Sequence, residues 1–62
     1  MSSREIIRRL MDDGWFLARI DGSHHQFRHR FKVGTVTVPH PSKDVQRGTV
    51  KSIERQSGVK LR

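Results

Sequence analysis

Two adjacent histidines, His24 and His25, follow Asp21-Gly22-Ser23 and lead into Gln26-Phe27-Arg28-His29-Arg30. Imidazole is the side chain whose unperturbed pKa lies nearest neutrality, so one group can accept a proton and return it. Arg28 and Arg30 follow His24 at alternate positions, where guanidinium groups can bind phosphate. A proton-transfer group among cations is the minimum equipment for cutting a polyanion such as RNA. Other chemistries lack their residues. The chain has no cysteine, which excludes disulfides, a thiol nucleophile and cysteine-based zinc sites. His25, His29 and His40 match no zinc-ligand spacing. The 6 acidic residues are scattered and offer no paired carboxylates for a metal-dependent nuclease. There is no P-loop and no dinucleotide fingerprint. No metal and no cofactor are expected.

Charge supports the same direction. The 62 residues carry 13 Lys and Arg against 6 Asp and Glu, a net +7. Basic Arg4, Arg8, Arg9 and Arg19 balance acidic Glu5, Asp12, Asp13 and Asp21, so the whole excess lies after residue 21. A basic domain with its charge on one part is the footprint of nucleic-acid binding, ahead of an acidic protein partner or a merely solvated surface. Lys43 and Arg47 flank a loop beside Ser42 that resembles a phosphate-contacting loop. Lys51, Arg55, Lys60 and Arg62 read as solvation of the second helix and tail, with Lys51 nearest that loop. Arg28, Arg30, Lys43, Arg47 and Lys51 are therefore the candidate RNA contacts.

The elements that must position these groups follow from pattern. Ser2-Ser3-Arg4-Glu5 matches a capping box. Ile6, Ile7, Leu10 and Met11 make one helical stripe, and Gly14 is a left-handed stop, giving a helix over residues 3–13. Trp15 to Ile20 reads as a strand, with Trp15 as a core anchor. Asp21-Gly22 is a tight-turn signal. His24 to Phe31 alternates as a second strand, and Lys32-Val33-Gly34 marks a turn. Thr35 to Val38 is a third strand, stopped by Pro39. His40 to Gly48 is a polar loop, after which Thr49 caps a helix with Val50 and Ile53 on its apolar face and Gly58 at its end. Val59 and Leu61 are expected to fold back on the core. The order α-β-β-β-α predicts a single α+β domain over residues 1–62, with a three-stranded antiparallel sheet and both helices on one face. Double-stranded-RNA-binding domains share that order. A chain this short is marginal alone, so a thin two-layer fold stabilised by a partner is expected.

Alternation divides the histidines. If Phe27 and Phe31 face the core, His25 and His29 face it too, as packed or hydrogen-bonded residues. His24, Gln26, Arg28 and Arg30 then line the opposite face. A bulge in this strand would reverse the assignment.

Gly22-Ser23-His24-His25-Gln26-Phe27-Arg28-His29, followed by Thr35-Val36-Thr37-Val38-Pro39-His40-Pro41, closely resembles the HicA family of mRNA interferase toxins. So do the first helix ending in Gly14-Trp15 and the segment Gly48-Thr49-Val50-Lys51-Ser52-Ile53. The resemblance spans roughly residues 3–59. It implies a double-stranded-RNA-binding-like fold, cleavage of mRNA, and neutralisation by a HicB-type antitoxin. The family's essential histidine follows its Gly-Ser pair, which carries over onto His24, with His25 as runner-up and Ser23 in an orienting role. The proton donor to the leaving group stays open between His25, a lysine and water. No apolar run approaches the length of a membrane span and the first residues lack a signal-peptide core, so a cytoplasmic protein away from membranes is expected.

Overall fold

The computed structural model describes residues 1–61. The order is α1 (Ser3–Asp12), β1 (Phe16–Asp21), β2 (His24–Arg28), β3 (Val36–Pro39) and α2 (Arg47–Ser57). The strands form one antiparallel sheet in the order β1-β2-β3. Ser2 caps α1, its side chain accepting from the Glu5 N–H, while the Glu5 carboxylate pairs with Arg9 one turn on. The stripe of α1 buries Ile6 and Leu10, leaves Ile7 half-buried and leaves Met11 exposed. Val50 and Ile53 form the buried face of α2, and Gly58 ends it at φ 72°. These side chains meet Trp15, Phe27, Val36, Val38, Val45 and Leu61 in one core, which places both helices on the same face of the sheet. Among the described residues, no helix is long and apolar enough to cross a membrane.

Several boundaries differ from the sequence expectation. The two-residue loop of the first hairpin is Gly22-Ser23, because Asp21 already pairs with His24. Gly22 alone takes positive φ there, at 63°. Pro39 belongs to β3, where the strand's last residue needs no ladder donor. The second helix starts at Arg47, with Gln46 at its cap and no side-chain cap bond, so Thr49 lies inside it.

The largest correction is at the end of β2. The strand stops at Arg28, and Phe31 is 86% exposed rather than part of the core. His29 is the reason. Its Nδ1 accepts the backbone N–H groups of Phe31 at 3.0 Å and Lys32 at 3.1 Å. Its Nε2 therefore carries the proton and donates to the Asp13 carbonyl at 2.7 Å. The ring also meets Trp15 edge-on at 5.1 Å. His29 thus takes the interior place expected for it, but it turns the chain and sends Phe31 outward. Lys32 completes the corner, donating to Asp13 Oδ2 at 2.6 Å and to the Ser57 carbonyl at 3.1 Å. That hydrogen bond, above all, holds the Asp13 carboxyl below its ordinary value.

Candidate active site

The β2–β3 pairing fixes which way each histidine points. Residues directly opposite in a ladder share a face. His25 stands opposite Val38 and Phe27 opposite Val36, and Phe27, Val36 and Val38 are all buried. His25 therefore faces the helices and is half-buried, as alternation predicted. His24 stands between Asp21 and Pro39 on the open face and is exposed. A bulge does occur in the sheet, but at Ala18 in β1, so the alternation of β2 stays intact.

Gln26, opposite Arg19 and Thr37, and Arg28, opposite Phe16, continue the open-face row from His24. Arg30 lies past the end of β2 and is exposed, outside the row in which alternation set it. Ser23 is in the hairpin loop, and its carbonyl accepts the His40 N–H at 2.8 Å. That bond brings the start of the 40–46 loop against the histidine hairpin. Lys43 in this loop lines a cavity of about 540 Å³ with Ser2, Ser3, Arg4, His40, Pro41 and Ser42. Arg47 and Lys51 are exposed on α2, which packs on the far side of the sheet from the His24 side chain. The structure thus puts His24 and Arg28 on the open face at the two ends of β2, Ser23 in the adjoining hairpin loop and Lys43 in the 40–46 loop by the start of α1, and sets Arg47 and Lys51 apart.

Sequence reasoning missed a second cluster. Ser3 is buried at the start of α1, and its Oγ lies 2.7 Å from His40 Nδ1. The same oxygen donates to the Ser42 carbonyl at 3.1 Å and accepts the Ser42 N–H at 2.9 Å. The His40 ring meets His25 edge-on at 4.8 Å. His25 Nδ1 is buried there with no hydrogen-bond partner. Residues 3 and 40 belong to elements at opposite ends of the chain, so no local pattern pairs them. The conspicuous Pro39-His40-Pro41 run was the only available signal. Among the described residues, no group of three or more His, Cys, Asp or Glu side chains converges as a metal site requires.

Among the described residues His24 makes no hydrogen bond or ion pair, so its ring nitrogens are open to a ligand. An unencumbered imidazole on a face that also carries Arg19 and Arg28 can take a proton from a hydroxyl while cations hold nearby phosphates. No curated protein matches the sequence. Over its full length the chain is similar to a chain of a solved HicA3 and HicB3 toxin–antitoxin complex, at 32% identity and a TM-score of 0.85, covering 100% of both. Residues 3–59 match the family model of the HicA toxin of bacterial toxin–antitoxin systems. Family and fold coincide over nearly the whole sequence, and the chain belongs to the HicA toxin family.

Proposed function

We propose that this chain is an mRNA interferase: a toxin that cleaves RNA without a metal and is neutralised by a HicB-type antitoxin. The observation that carries the reading is His24, unpaired and exposed on the open face, in line with Arg28. In this mechanism His24 removes the proton from a ribose 2′-OH, whose oxygen attacks the adjacent phosphorus. The P–O5′ bond breaks, leaving a 2′,3′-cyclic phosphate on one product. The face is open to solvent, and water supplies the proton to the departing 5′-oxygen. Lys43, in the loop tied to the histidine hairpin, binds the phosphate whose negative charge grows in the transition state, usually a larger effect than proton transfer alone, and Arg28, four residues along β2 from His24, binds a neighbouring phosphate. Ser23, in the hairpin loop, orients the phosphate. Arg30, exposed past the end of β2, extends the cationic track to flanking RNA, whereas Arg47 and Lys51, on the helix side of the sheet, lie outside it. The cytoplasm, where mRNA is met, is the compartment that suits this activity.

His25 supports the division of labour. Its ring packs on the helix side against His40, where it serves the fold more than the substrate. The test is cleavage of RNA by the purified protein in excess EDTA, with His24→Ala and His25→Ala side by side. His24→Ala is expected to keep the wild-type melting temperature and lose roughly 10²–10⁴-fold in rate. His25→Ala is expected to lose more stability and less activity. Near wild-type cleavage by His24→Ala, or activity that EDTA abolishes, would overturn the mechanism. A non-catalytic RNA-binding module would bind RNA with a steep salt dependence and show no cleavage in any variant.

A further inference from the structure

We infer that the antitoxin docks on the free edge of β1, adding a strand of its own to the sheet. This rests on the antitoxin pairing proposed above. β1 and β3 are the two edges of the sheet, and the helices pack against β3, leaving β1 as the edge away from them. Every residue of β1 is exposed, including Phe16 at 47%, Leu17 at 44% and Ile20 at 56%. No other strand in the sheet lacks a buried residue. The register puts Leu17 and Ile20 on the helix side, opposite Phe27 and His25, and Phe16 and Arg19 on the His24 side. Apolar side chains thus flank the edge on both faces, beside a row of backbone N–H and C=O groups with no strand beyond them. Edge strands usually carry lysine or proline to repel strand addition. β1, Phe16-Leu17-Ala18-Arg19-Ile20-Asp21, has neither.

Charge selects the occupant. A second copy would bring another net +7 to the edge, with Arg19 and the neighbouring Arg28 and Arg30 repelling their equivalents. An antitoxin strand with apolar residues to meet Leu17 and Ile20, and a carboxylate to meet Arg19, answers both the apolar flanks and the charge. The partner strand would lie two strand spacings, ~10 Å, from β2. From there the body of the partner reaches over the open face and covers His24. Main-chain bonds would supply affinity, and the pockets for alternate side chains would supply specificity.

The experiment uses the full chain, the HicB-type antitoxin encoded alongside it, and the double variant Leu17→Lys/Ile20→Lys. Both positions are exposed, so the variant should melt near the wild type and cut RNA at the wild-type rate. Its affinity for the antitoxin should fall by roughly 10²-fold or more, as for loss of two central anchors. Amide hydrogen exchange on the wild-type pair should show protection of residues 16–21 on binding, which reads the edge even if the variant folds poorly. Unchanged antitoxin affinity, or β1 amides that exchange equally fast free and bound, would overturn the inference. Protection that grows with toxin concentration alone would assign the edge to a second copy and overturn it too. Neither readout needs catalysis, so failure of the wild type to cut RNA would count against the proposed function and leave this one standing.

Discussion

Gly14→Ala tests the corner that holds the first helix to the sheet. Gly14 has φ 104°, and a Cβ built there would sit 2.8 Å from His29 Nε2. Left-handed backbone costs a non-glycine residue about 1–2 kcal/mol. The contact adds to this, because His29 is not free to move. Its Nε2 donates to Asp13 and its Nδ1 takes two backbone N–H groups. Displacing the ring gives up those hydrogen bonds, which lie where water can replace them, at about 0.5–1.5 kcal/mol each. The total is about 3 kcal/mol, against a whole stability of roughly 3–9 kcal/mol for a chain of this length. At about 4–8 °C per kcal/mol, the melting temperature should fall by at least about 12 °C. Gly22→Ala is the control: φ is 63°, and nothing lies within 4 Å of its Cβ. It should lose only the backbone share, leaving a gap of about 2 kcal/mol between the variants by urea unfolding. A double-mutant cycle with His29→Ala should recover part of that gap. Equal losses for the two glycines, or no coupling to His29, would refute the reasoning.

Two further outcomes follow from the hydrogen bonds. Ser3→Ala leaves His40 Nδ1 and the Ser42 N–H without their partner, and should cost about 1–3 kcal/mol; an unchanged urea midpoint would mean that the hydroxyl holds nothing. Asp13 is held below the ordinary carboxylate value of 3.8, chiefly by the hydrogen bond from Lys32. A depressed folded value means that its stabilisation is present above the unfolded value and lost as pH falls through the folded one. Melting temperature should therefore decline as pH drops below about 4, and Asp13→Asn should flatten that decline while changing neutral-pH stability little, since the pair is largely exposed. A profile identical in shape to the wild type would remove Asp13 from the acid response.

The α-β-β-β-α order was legible because its signals are local: a capping serine, an apolar stripe, a glycine after each helix, alternation in β2 and β3. The facing of His24 and His25 followed from strand period alone. What failed was decided by contacts distant in sequence. Phe31 keeps the alternation of β2, but His29 bonds to Asp13 and to the chain just beyond itself, and ends the strand first. Thr49 is a good cap residue, yet Val45 and Val50 both bury, which winds the helix from Arg47. β1 looks like an interior strand because Phe16, Leu17 and Ile20 are apolar. Only the placement of the helices over β3 reveals that every one of its residues is left exposed. The Ser3–His40 cluster was invisible for the same reason, since its members lie 37 residues apart.

The segment from His40 to Gln46 has no regular structure, yet it is pinned along its length. Its backbone is tied to Ser23 at His40, to Ser3 at Ser42 and to Met1 at Val45, and Val45 is buried. Lys43 sits between two of those ties. Fixing a residue's backbone costs about 1–2 kcal/mol in lost freedom. Here folding has already met that cost before any ligand arrives. For the phosphate contact proposed for Lys43, only that side chain is left to order, and the loop would serve as a preformed clamp rather than a flap that closes.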